Sequence, residues 1–150
     1  MWLDALLAYA HFISIMLICS FLGAEILLLR TDLKPKTVAV LASADMGYFL
    51  STGLALLTGA LRLGLSPKGI LFYAGNWVIW AKVALFFGIA LLALIPARRF
   101  VGWRHKLRMD PGFQVPAAEA ASTRRLVFIE LHLLALLPLL AVSMSRGIGQ

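Results

Sequence analysis

Residues 77–97 read WVIWAKVALFFGIALLALIPA, twenty-one positions with a single charge, Lys82. A helix that crosses the hydrocarbon core of a bilayer needs about 20 mostly apolar residues. This stretch meets that requirement, and extended back to residue 70 it forms one span, 70–97. Three more stretches qualify: 5–29, 38–61 and 126–145. Backbone polar groups in lipid must pair within their own segment, so each stretch is expected to be a helix. No alternation of strand type and no strong internal repeat is visible.

The totals agree. The chain has 150 residues, of which 61% are hydrophobic and 14% charged. A water-soluble domain needs more polar side chains than this to cover its surface. The expected fold is therefore all-α, an integral membrane antiparallel four-helix bundle forming one domain over residues 1–150. The opening segment lacks a basic start and its apolar run is too long for a cleavable signal, so it is expected to stay as the first span.

Charge sets the expected orientation. Ten of the fourteen Lys and Arg residues fall in two connections: Arg30, Lys34 and Lys36 in the first, and seven between Arg98 and Arg125 in the long third one. The opposite side carries Arg62, Lys68 and Arg146. By the positive-inside rule the basic connections are expected to face the cytoplasm and both termini to face out, in a multi-pass protein. The net charge of +7 is then mainly a topology signal, and the partner it implies is a bilayer with anionic headgroups rather than nucleic acid. At the start of the long connection, RRFVGWRHKLR (98–108) puts Phe100, Trp103 and Leu107 on one helical face, which suggests a helix continuing span three along the inner interface. MDPGFQVP (109–116) reads as a turn and AAEAASTRR (117–125) as the approach to the last span.

The ionisable residues inside the spans are the candidate site, because such groups are costly in lipid and face the bundle. On span one His11, Ser14, Ile18, Leu22 and Glu25 share a stripe at 100° per residue. On span two Asp45, Tyr48, Thr52, Ala55, Gly59 and Arg62 do the same. Glu130 and His132 on span four are two positions apart and point in nearly opposite directions. By height the groups form two layers. His11, Lys82 and Arg62 lie towards the terminal side, and Glu25, Asp45 and Glu130 towards the basic side. The carboxylates have two readings: ion pairs with Arg30, Arg124 or Arg125, or a proton relay joined by His132. Lys82 has two as well: a lysine reaching for the headgroups, or a partner for an anion.

Cys19 stands alone, which excludes an internal disulfide and a paired-cysteine metal site. There is no GxSxG, HExxH, P-loop or GxGxxG signature.

The stretches LLAYAHF (6–12), Ala24–Glu25, TGALR (58–62), WAKVALFF (80–87) and SMSRGIG (143–149) resemble, end to end, an uncharacterised family of bacterial four-span membrane proteins known as a domain of unknown function. A more distant likeness, in His11 and in Lys82 of WAKV, is to HemJ-type and CopD-like membrane proteins. That likeness implies haem b or another porphyrin in the bundle core. His11 would be the iron ligand, Lys82 and Arg62 would meet the propionates, and Thr52 and Gly59 would leave room for the ring. The other readings are a transport or accessory subunit handling protons or a small solute, and a structural bundle packed on another membrane protein or on a second copy of itself.

The orientation is testable. A reporter active only outside the cytoplasm is expected to work when fused after the C-terminus and to fail when placed within residues 110–116, and the reverse pattern would invert the topology.

Overall fold

The computed structural model describes residues 2–65 and 74–146. Those residues form four long helices: α1 (Trp2–Leu28), α2 (Pro35–Gly64), α3 (Trp77–Met109) and α4 (Ala117–Ser145). All four are long and apolar enough to cross a membrane. They pack as a closed ring. α1 touches α2 and α4, α3 touches α2 and α4, and the diagonal pairs do not meet among the described residues.

Local chemistry explains the helix ends. α2 starts on Pro35, whose missing N–H and fixed φ suit the first helical position. Asn76 caps α3, its side chain accepting from Val78 N at 2.9 Å. Behind this cap the described helix starts at Trp77, and residues 70–73 of the expected span lie outside the described residues. α3 then runs without a break through Pro96 to Met109. The helix thus continues span three as expected, but its apolar face turns to the bundle rather than to the headgroups. Phe100, Trp103 and Leu107 are buried in the same cluster as Leu29, Val38 and Leu41. Burial in the bundle gives these rings more apolar contact than a headgroup layer could. Residues 110–116 make the expected turn, in which Asp110 Oδ1 accepts from Gly112 N at 2.9 Å. Across this connection Arg99 Nη1 donates to Ser122 Oγ and Thr123 Oγ1, at 2.8 and 2.9 Å, tying α3 to α4.

The closest seam joins α1 to α2. Gly47, Ser51, Ala55 and Gly59 follow one another at intervals of four, a ladder of small residues down one side of α2. In lipid, where no hydrophobic force draws helices together, such ladders allow the backbones to approach and pack. At Gly47 the space a Cβ would need is filled by the Phe21 ring, with Cε1 2.6 Å from that point. At Gly59 it is filled by the His11 ring, Cε1 at 3.3 Å. The outer surface is the converse, crowded with exposed leucines and aromatics that suit lipid chains. Trp77 and Trp80 are both exposed near the start of α3, as an aromatic belt requires, and Trp80 Nε1 donates to Ala74 O.

Gly47→Val is expected to push Phe21 out of the seam and to destabilise the protein in detergent by about 1–3 kcal/mol. Gly53, where a Cβ would meet nothing within 4 Å, is the control. Gly53→Ala should be neutral or stabilising by up to about 1 kcal/mol. Both values can be read from unfolding titrations in mixed micelles.

Candidate functional site

Three helices bring carboxyl groups into one buried layer. On α1 the stripe Ser14, Ile18, Leu22, Glu25 is buried as its spacing requires, and Glu25 is only 2% exposed. On α2 the buried positions Leu41, Ala44, Asp45 and Tyr48 carry the second acid, 9% exposed. On α4 Val127, Glu130, Leu134 and Leu137 repeat at intervals of three and four, and Glu130 is 1% exposed. Glu25 is within electrostatic reach of Asp45 and Glu130, and Asp45 of Glu130. Tyr48 lies within reach of all three. Sequence reasoning placed Tyr48 on this face without seeing that it completes the group.

The ion pairs open to these acids do not form among the described residues, where the only salt bridge is Lys34–Asp32 at 4.0 Å. Geometry explains this. Arg125 and Arg124 precede Glu130 by five and six positions, which turns them about 140° and 120° away from it. Arg30 stands beyond the end of α1. These three arginines line a groove on the outside of α1 and α4 instead. Glu25 Oε1 and Glu130 Oε1 are buried with no hydrogen-bond partner. His132 does not join them. It is exposed on the opposite side of α4, where Nδ1–H donates to Phe128 O at 2.7 Å and the ring packs on that of Phe128. The structure thus divides the pair, with Glu130 inward and His132 outward.

The second layer also draws on three helices. Both His11 on α1 and Lys82 on α3 lie within electrostatic reach of Arg62 on α2, and His11 also of Lys82. Arg62 Nε is buried without a partner. His11 Nδ1 is 3.0 Å from Thr58 Oγ1. Thr58 already gives its one hydroxyl proton to backbone carbonyls, Leu54 O at 2.7 Å and Ala55 O at 3.2 Å. With that proton so used, Thr58 Oγ1 is placed to accept from His11 Nδ1–H. Thr58 was missed from the sequence, although it sits beside Gly59 and one turn from Arg62.

As α1 and α2 are packed, His11 and Thr52 turn into the helix seam rather than framing a gap beside it. The room that Gly59 leaves is taken by the His11 ring itself. Thr52 Oγ1 is turned back onto Tyr48 O at 2.8 Å. The two surface grooves of about 250 and 290 Å³ contain none of His11, Thr52, Gly59, Arg62 or Lys82. Among the described residues, no group of three His, Cys, Asp or Glu side chains stands close enough to hold a metal ion.

The two polar layers are about 21 Å apart along α1, from His11 to Glu25. Ile18, Leu22, Ile89 and Leu134, all buried, belong to the apolar core. The hydroxyls of Ser14, Ser51, Thr52 and Thr58 each bond to carbonyls of their own helix. Each therefore spends its one proton on the backbone of its own helix.

No curated protein and no solved structure matches the chain. A family model matches residues 3–149, and the chain belongs to the family described as predicted membrane protein (DUF2214).

Proposed function

We propose that this protein is a non-enzymatic membrane component that takes up and releases protons at the carboxyl group built from Glu25, Asp45 and Glu130. The observation that carries the reading is the burial of three acids from three helices in one layer, with no cation within salt-bridge distance among the described residues. Three ionised carboxylates would place a charge of −3 in an apolar core, at a cost of several kcal/mol for each ion. The charge must be neutralised. The acids are not arranged as a metal site, so protons are the neutralising species. Buried acids of this kind mark proton-handling sites in membrane proteins. Tyr48 supplies the group with a hydroxyl that both donates and accepts.

The apolar core between the layers argues for a carrier or an accessory subunit rather than an open channel. Protons would enter the acid layer from the basic end, where Glu130 lies roughly 8 Å beyond Arg125 along α4. Onward transfer towards His11 requires the bundle to rearrange, or a partner subunit to complete the path.

The triple variant Glu25→Gln, Asp45→Asn, Glu130→Gln is expected to fold with stability equal to or above the parent, since it removes uncompensated buried acids. In vesicles the parent protein is expected to dissipate an imposed pH gradient, and the triple variant to leave it intact. The protonated-carboxyl band of the parent's infrared difference spectrum should also disappear. Unchanged proton movement and an unchanged band would overturn the proposal. Protein purified in mild detergent, oxidised and then reduced, is expected to be colourless, because the His11 ring takes the room that Gly59 leaves. A stoichiometric Soret band that is lost in His11→Ala would overturn that expectation and restore a b-type haem.

A further inference from the structure

We infer that the groove between α1 and α4 at the basic end is a specific site for one anionic phospholipid. Ile26, Phe128 and Ile129 form its floor, and Arg30, Arg124 and Arg125 stand around it, enclosing about 250 Å³. Phe128 and Ile129 face outward, and Arg30 and Arg125 are exposed. None of the three guanidinium groups has a carboxylate within salt-bridge distance among the described residues. The site therefore joins two surfaces that only an amphipathic anion satisfies together. The floor suits an acyl chain, and the rim offers planar, forked donors that match phosphate oxygens in pairs.

Position favours a lipid over a soluble anion. Arg124 and Arg125 are the eighth and ninth residues of α4, and the apolar span follows directly after them. This is the height at which a membrane helix passes from headgroups to hydrocarbon, and basic pockets between helices at this level are a recurrent phospholipid-binding arrangement. Ile26 and Ile129 are the chain neighbours of Glu25 and Glu130. The groove thus occupies the lipid side of the seam whose buried side carries two of the three acids. The site is independent of the proton proposal, because it uses different side chains and a different face of both helices.

The test uses the full-length protein and native mass spectrometry from mild detergent, with phosphatidylglycerol, cardiolipin or phosphatidylcholine added. The parent is expected to retain one anionic lipid and to release phosphatidylcholine. Arg30→Ala, Arg124→Ala and Arg125→Ala together should weaken retention roughly a hundredfold, at about fivefold per arginine. The triple lysine variant at the same positions keeps the charge and the fold but loses the paired donors, and should fall between the two. Arg104→Ala, Lys106→Ala and Arg108→Ala remove equal charge from the exposed end of α3 and should leave retention unchanged. Equal loss in the α3 control would make the attraction diffuse and overturn the site. Equal retention of phosphatidylcholine would reduce it to an apolar contact and overturn it as well. Displacement of the lipid by inorganic phosphate alone would show that the floor plays no part, and would overturn a phospholipid as the ligand.

Discussion

The close approach of α1 to α2 is the contact on which the rest of the bundle depends. Lipid chains solvate leucine as well as another helix does, so apolar area alone gives two helices no reason to associate. The ladder Gly47, Ser51, Ala55, Gly59 removes side-chain bulk along one line of α2, and α1 fills the space with Phe21 near one end and His11 near the other. This register fixes the height of everything α1 carries. It sets Glu25 level with Asp45 and Tyr48, and His11 against Thr58. α4 then closes the ring, and its interval of three and four residues delivers Glu130 to the same layer.

Charge within the bundle is segregated. The layer nearer the termini holds Arg62, Lys82 and His11, and the layer nearer the basic connections holds three acids. Opposite charges about 20 Å apart along α1 do not neutralise one another as a contact pair would. Each layer therefore needs its own compensation. The Thr58 hydroxyl beside His11 and the long stem of a half-buried Lys82 ease the first. Protons are the simplest compensation for the second.

At the basic end the same helices meet the headgroups, and here the positive charge faces outward. Arg99 is used structurally, between α3 and α4, while Arg30, Arg124 and Arg125 remain without acidic partners on the opposite seam. The long third connection contributes less irregular structure than its length suggests, because α3 and α4 extend well past the apolar spans and leave only residues 110–116 between them. Phe100, Trp103 and Leu107 anchor the α3 extension to the bundle.

Much of this was legible in the residues alone. The number of helices follows from four apolar runs and the cost of unpaired backbone groups in hydrocarbon. The inward stripe of α1 follows from 100° per residue, and Ser14, Ile18, Leu22 and Glu25 are buried as that angle requires. Periodicity also showed that Glu130 and His132 could not share a direction. It could not say which of them faced the core, because that depends on the rotation of α4 against α1 and α3. Nor could it show that Arg124 and Arg125 point away from the acids, that Thr58 holds His11, or that the room beside Gly59 is filled by an imidazole. Those facts arise between helices, from the register and rotation that side-chain packing selects. The sequence by itself determined four membrane-spanning helices and the level of each ionisable group; only the tertiary structure decided which of those groups meet, since angle around a helix becomes contact only when a neighbour is packed against it.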